Sequence, residues 1–238
     1  MSTIRAVIFD FNGVLVDDEH LHFDMFREVL SQEGVEITAR DYHERFLGLD
    51  DRGCFAAALS EFGKLVDDHQ LDELIARKAR RYREAASRGL KFFSGAGACL
   101  DRLAERHKLA INSGALEPEI EFALGLLGRR DRIHVIISAE QTTRCKPDPE
   151  GYTLALEGLR SKAEGLAGLA PAECLVIEDS LAGIESAKAA GMWAVGVANT
   201  YPTAELFHAG ADEVIGGLDG LTPDWLAEKF KASPSLID

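Results

Sequence analysis

The sequence predicts an α/β fold: a Rossmann-like parallel sheet interrupted by an all-helical insertion. Three observations carry this. Short apolar runs alternate with helix-patterned segments from residue 92 onward. One further apolar run, Ala6-Val7-Ile8-Phe9, stands apart near the N-terminus. The stretch between them shows helical periodicity and nothing strand-like. Strands alternating with helices imply parallel βαβ units, so the first run belongs to the same sheet as the later ones. The expected organisation is a core of residues 1–16 and 92–238, with 17–91 as a helical cap that leaves and returns through adjacent linkers and is placed to act as a lid.

In chain order, Ala6–Phe9 is a β-branched and aromatic run stopped by Asp10, Asn12 and Gly13, hence a buried strand followed by a turn. Asp17–Gly34 reads as a helix from the spacing of Leu21, Met25, Phe26, Val29 and Leu30, with Gly34 as its stop. Thr38–Leu47, Asp51–Phe62 and Asp68–Ser87 come next as helices. The Arg77, Lys78, Arg80, Arg81, Arg83 run in the last of these reads as a solvated face. Past Lys91 come helix Gly95–Glu105, strand Leu109–Ile111, helix Pro118–Leu127, strand His134–Ser138, helix Pro149–Glu164 and strand Cys174–Ile177. Helix Ser180–Ala190, strands Trp193–Val197 and Glu213–Ile215, and a last helix around Trp225 complete the chain.

Composition narrows the function. Among 238 residues, 26 Lys and Arg stand against 40 Asp and Glu, a net charge of −14. Such a surface repels nucleic acid and anionic membrane. No apolar run approaches the roughly 20 residues of a membrane span, and Met1–Arg5 lacks the pattern of a signal peptide. Cys54, Cys99, Cys145 and Cys174 have no metal-like spacing and read as reduced thiols. The expectation is a cytoplasmic protein, monomeric, without nucleic-acid or membrane partners.

The chemistry lies at the strand ends. Asp10 and Asn12 come after the first strand, Ser113 with Gly114 after the second, Glu178 and Asp179 after the fourth. Lys146 sits in the loop after the third. In a parallel sheet all of these fall on one edge, where ligands bind. Three carboxylates there repel one another unless a divalent cation sits among them, and hard oxygen ligands suit Mg²⁺. A phosphate completes the set, with Lys146 and the Ser113 hydroxyl on its oxygens and Asp10 as carboxylate nucleophile. Taken singly, each residue has a competing structural reading: Asp10 ending a strand, Glu178-Asp179-Ser180 capping a helix, Lys146 on a surface turn.

Four motifs, DFNGVLVD, INSG, CKPDPEGY and VIEDSLAGIESAKAAGM, resemble the haloacid dehalogenase superfamily, and the resemblance extends over nearly the whole chain. The helical insertion looks like the small cap of the subgroup with beta-phosphoglucomutase and phosphoglycolate phosphatase. Only 32 residues, 114–145, separate Ser113 from Lys146, too few for a larger cap there. The resemblance implies an aspartyl phosphate on Asp10 and a phosphate-binding pair of Ser113 and Lys146, the lysine also orienting the nucleophile. It further implies a Mg²⁺ site at Asp10, Glu178 and Asp179 with the Asn12 backbone carbonyl, and a specificity loop holding Arg45, Gly48 and Arg52. The two arginines are candidates for an anionic end of the substrate, or helix-surface residues.

Asn12 departs from the pattern, because family phosphatases and mutases usually carry an aspartate there that exchanges a proton with leaving oxygen and water. An amide cannot do so. His22, near the entry to the cap, is the candidate replacement. The expected activity is a Mg²⁺-dependent phosphatase of a small phosphorylated metabolite, slow where the leaving group is poor. The alternatives are a phosphomutase and a catalytically quiet phosphometabolite binder.

Overall fold

The computed structural model describes residues 4–47 and 49–230. Six parallel strands form one sheet in the order β3-β2-β1-β4-β5-β6. These are β1 (Ala6–Phe9), β2 (Lys108–Asn112), β3 (Ile133–Ile137), β4 (Cys174–Glu178), β5 (Trp193–Val197) and β6 (Glu213–Ile215). β1 lies in register between β2 and β4, Phe9 opposite both Ile111 and Ile177. Its residues are fully buried and alternate between two apolar layers, Val7 and Phe9 on one face, Ala6 and Ile8 on the other. This two-sided burial is why the parallel strands read as continuous apolar runs.

Between β1 and β2 come α1 (Glu19–Gln32), α2 (Ala39–Asp41) running on into a π-helical turn Tyr42–Phe46, α3 (Asp51–Glu61), α4 (Asp68–Ala86) and α5 (Ala96–Ala104). α1, α3 and α4 enclose an apolar centre of their own around Phe26, Phe55, Leu59 and Leu74. Its entry and exit run side by side: Asp17 N donates to Lys91 O at 3.0 Å and Phe93 N to Leu15 O at 3.1 Å. The remaining crossovers are α6 (Glu117–Leu127), α7 (Glu150–Lys162), α8 (Leu181–Ala189) and α9 (Thr203–His208), with α10 (Pro223–Lys229) closing the chain.

The face of α4 expected to be solvated is divided. Arg77 and Arg81 do reach outward, to Glu33 and Glu28, but Lys78 is fully buried. It belongs to the inward stripe Leu71, Leu74, Lys78, Tyr82, Ala86. The sheet order sets the site. The chain proceeds from β1 toward β3 on one side, then crosses to β4 on the other, so the switch point lies at the carboxyl ends of β1 and β4, where such sheets bind ligands.

Candidate active site

Asp10 stands one residue past β1, its N–H bonded to Ile177 O at 2.9 Å, so neighbouring strands fix its backbone. Glu178 ends β4 and Asp179 comes next. Lys146, from the loop before α7, places its ammonium 2.7 Å from Asp10 Oδ1 and 2.5 Å from Glu178 Oε1. Glu178 is fixed further by Tyr152 Oη at 2.9 Å and by the Asp179 and Ser180 backbone N–H groups, each 3.0 Å from Oε2. Ser180 also caps α8, its Oγ accepting from Gly183 N at 3.0 Å. The turn that caps α8 is thus also the turn that carries Glu178 and Asp179. Glycine is required beside these carboxylates: a Cβ on Gly183 would overlap Glu178, and one on Gly13 (φ +75°) would overlap Asp179.

Asp10, Glu178 and Asp179 are buried and each brings a ligand oxygen within 4.8 Å of the others, the only such triad among the described residues. Burial pushes the Asp10 carboxyl up to about 7, Glu178 adding to the rise and Lys146 opposing it. Asp179 is raised well above the usual carboxylate range by burial and by its two acidic neighbours. One lysine therefore does not balance three buried carboxylates, and a hard divalent cation such as Mg²⁺ suits this donor set.

Ser113, one residue past β2, donates its N–H to Ile137 O at 3.0 Å and faces the same cavity with Gly114. Its Oγ lies 3.4 Å from Asn12 Oδ1. The Asn12 amide nitrogen points the other way, 3.0 Å from both oxygens of Asp18 and 3.1 Å from His22 Nε2. Asp18 is fully buried and also accepts from the Tyr82 hydroxyl. Burial opposes its ionisation, but His22, Tyr82 and Asn12 together hold its carboxyl below the usual range. His22 Nδ1 lies 2.7 Å from the Lys78 ammonium. An ammonium only donates, so Nδ1 presents its lone pair and the ring proton sits on Nε2, 3.3 Å from Asp18; the Asn12 amide nitrogen, itself a donor, then bonds to Asp18 and not to Nε2. Burial and Lys78 lower the His22 pKa, Asp18 raises it, and the balance is upward.

The sheet edge thus brings together Asp10, Asn12, Ser113, Gly114, Lys146, Asp179 and His22 around one cavity, with Glu178 behind Lys146. The two arginines of the expected specificity loop do not join them. Arg45 bridges Asp41 at 2.6 Å and Glu61 at 2.5 Å, and Arg52 is held by Asp68 and Asp72 on α4. Neither lines the cavity, because carboxylates on their own and neighbouring helices capture them first. Gly48 lies outside the described residues. The motifs do not point to Asn199, whose Nδ2 donates to Gly13 O at 2.7 Å, or to Thr200, whose hydroxyl donates to Asp179. Both stand just past β5, so the strand-end rule that places the other site residues reaches them too. The four cysteines are free thiols, and among the described residues no helix is long and apolar enough to cross a membrane.

Comparison with known proteins agrees with this geometry. A family model described as haloacid dehalogenase-like hydrolase matches residues 7–197. The beta-phosphoglucomutase of Bacillus subtilis is 30% identical over 235 residues, 96% of each chain. A phosphorylated carbohydrates phosphatase of Thermotoga maritima is 32% identical over 190 residues, 79% of this chain and 82% of that one. The crystal structure of beta-phosphoglucomutase from Clostridium difficile superposes with a TM-score of 0.82 at 23% identity, covering 96% and 97% of the two chains. The chain belongs to the haloacid dehalogenase-like hydrolase family.

Proposed function

We propose that the protein is a Mg²⁺-dependent phosphatase of a small phosphorylated metabolite, working through an aspartyl phosphate on Asp10. The observation that carries this is the Asp10 carboxylate at the sheet edge, oriented by Lys146 and grouped with Glu178 and Asp179. Mg²⁺ held by Asp10, Glu178, Asp179 and the Asn12 backbone carbonyl would supply positive charge against the phosphoryl oxygens. Lys146 and the Ser113 hydroxyl bind the remaining oxygens and hold phosphorus against Asp10.

An Asp10 oxygen then bonds to phosphorus while the ester P–O bond breaks and its electron pair leaves on the alcohol oxygen. Asn12 cannot protonate that oxygen. His22 can: Nε2 gives up its proton as Nδ1 takes one from Lys78, and the transfer reverses when water attacks the aspartyl phosphate. Asp18 holds the ring in place. The helical insertion serves as the cap over this chemistry.

Hydrolysis is favoured over phosphomutase action by what the insertion brings to the cavity. A mutase must seat a second phosphate, and the insertion offers the carboxylates Glu19, Asp50 and Asp51, with Arg45 and Arg52 engaged elsewhere. The test is phosphate release from a panel of sugar phosphates, phosphoglycolate and p-nitrophenyl phosphate, with and without Mg²⁺, beside Asp10→Ala. Mg²⁺-dependent release that disappears in Asp10→Ala is expected. Binding without release, unchanged by Asn12→Asp, would replace the phosphatase with a quiet binder.

A further inference from the structure

Of the carboxylates gathered at the sheet edge, Asp179 is the least anchored. Glu178 is held on both oxygens by Lys146, Tyr152 and the Ser180 turn, and Lys146 also holds Asp10. The buried Asp179 carboxylate accepts one hydrogen bond among the described residues, at Oδ2, from the Thr200 hydroxyl. An ionised carboxylate only accepts, so the threonine donates. Gly13 packs against the same oxygen, where a Cβ would overlap it. Thr200 and Gly13 thus enclose Oδ2 and leave Oδ1 without a protein donor, while Asp10 and Glu178 both repel the group. The hydroxyl is what fixes its orientation.

Thr200 is itself placed by the sheet. Ala198 N donates to Ile215 O at 2.9 Å and Asn199 N to Val197 O at 2.8 Å, so the turn leaves β5 tied to β6. Asn199 Nδ2 then reaches past β4 to Gly13 O at 2.7 Å, in the loop that carries Asn12. A threonine serving its own turn bonds nearby backbone. This hydroxyl instead reaches a carboxylate 21 residues away, in the wall of the same cavity. Its β-branched χ1 is stiff, so the direction of the O–H is kept.

We propose that Thr200 is a positioning residue for the metal: its hydroxyl occupies Asp179 Oδ2 and leaves Oδ1 to meet the cation. This rests on the Mg²⁺-dependent reading of the same site, so its test has a readout independent of turnover. Mg²⁺ binding to the whole protein is measured by calorimetry without substrate. Thr200→Val keeps the shape and removes the donor, and Thr200→Ala removes it without adding bulk. In both, Mg²⁺ affinity falls about tenfold or more, the size expected for groups that support metal ligands. Thr200→Ser keeps the hydroxyl on a freer χ1 and stays within about threefold of the parent. A tenfold loss is about 1.4 kcal/mol. With Mg²⁺ well above both dissociation constants, its stabilising shift in melting temperature therefore shrinks by about 3–6 °C. Melts without Mg²⁺ establish that the variants are folded.

Mg²⁺ affinity unmoved in either folded variant that lacks the hydroxyl overturns the proposal. So does a loss in Thr200→Ser as large as in Thr200→Val, which marks packing rather than the hydrogen bond. Phosphate release from the ester panel separates this from the phosphatase reading. Affinity lost in Thr200→Val and kept in Thr200→Ser, with no release by the parent from any ester, supports the positioning role and overturns the phosphatase reading. Mg²⁺-dependent release by the parent, with affinity unmoved in Thr200→Val, overturns the positioning role alone. A parent that does not bind Mg²⁺ overturns both.

Discussion

Asn12→Asp is the substitution that most directly probes the proton chemistry. It places a carboxyl group where the amide nitrogen now lies 3.0 Å from both oxygens of buried Asp18. Two ionised carboxylates at that separation repel by about 5 kcal/mol at an effective dielectric of roughly 20. Holding one of them protonated at pH 7, against an ordinary pKa near 4, costs about 4 kcal/mol. Proton uptake is the smaller penalty, so the variant carries one shared proton at neutral pH, as close carboxylate pairs do. That proton lies beside His22, where the leaving oxygen needs it.

Turnover of an alkyl phosphate should rise about 10²-fold or more, within the usual range for general acid–base catalysis. Turnover of p-nitrophenyl phosphate should change little, because its leaving group needs no proton. Stability moves the other way. The pair's folded pKa exceeds its unfolded value, so the penalty is absent below about pH 4 and grows as pH rises toward the folded pKa. With about 2–4 °C per kcal/mol for a chain of this size, the penalty of about 4 kcal/mol should lower the melting temperature by about 8–16 °C at pH 7 and by less than half that at pH 5. Steady-state rates on the two esters and melts at both pH values test this. An alkyl-to-aryl rate ratio unchanged from the parent would refute the claim that Asn12 limits the chemistry.

Three further outcomes are expected. The Asp10 carboxyl is raised from 3.8 to about 7 chiefly by burial, so without a cation the fold loses up to about 4 kcal/mol as pH climbs from 4 to 7. Added Mg²⁺ should then raise the melting temperature more at pH 8 than at pH 5, and equal shifts would contradict the assignment. Lys78→Met leaves half-buried Asp51 and buried Glu119 without their cation, a loss of about 3–5 kcal/mol, read as a melting temperature lower by about 10 °C or more. Gly183→Ala drives a methyl group into Glu178. Since groups that support metal ligands matter by about 10–100-fold, calorimetric Mg²⁺ affinity should drop by at least tenfold, with the smaller change appearing in melts.

The strand-end residues are legible in the sequence because geometry leaves them no choice. Once Ala6–Phe9, Leu109–Ile111 and Cys174–Ile177 are parallel neighbours, Asp10, Ser113 and Glu178 share an edge whatever the loops do. Lys146 joins them through its motif. Asn199 and Thr200 sit at the equivalent end of β5, but no carboxylate or lysine marks that turn, so an amide and a hydroxyl pass for ordinary loop residues. The helical insertion obeys no such rule. Arg45 lies in the π-helical turn and Arg52 in the first turn of α3, and an arginine so placed can swing to any nearby acid; Asp41, Glu61, Asp68 and Asp72 are nearby. Lys78 is concealed by its neighbours. Among Arg77, Arg80 and Arg81 it reads as one more solvated cation, and only the Leu71, Leu74, Tyr82, Ala86 stripe reveals that its position points inward.

That inward lysine ties the two halves of the site together. Lys78 touches His22 and Asp51 at once, so the imidazole proposed to replace the missing acid and a carboxylate of the insertion share one cation. An aspartate at position 12 would carry its own proton and need no such link. Under the proposed mechanism the asparagine thus makes leaving-group protonation depend on the charges gathered around buried Lys78.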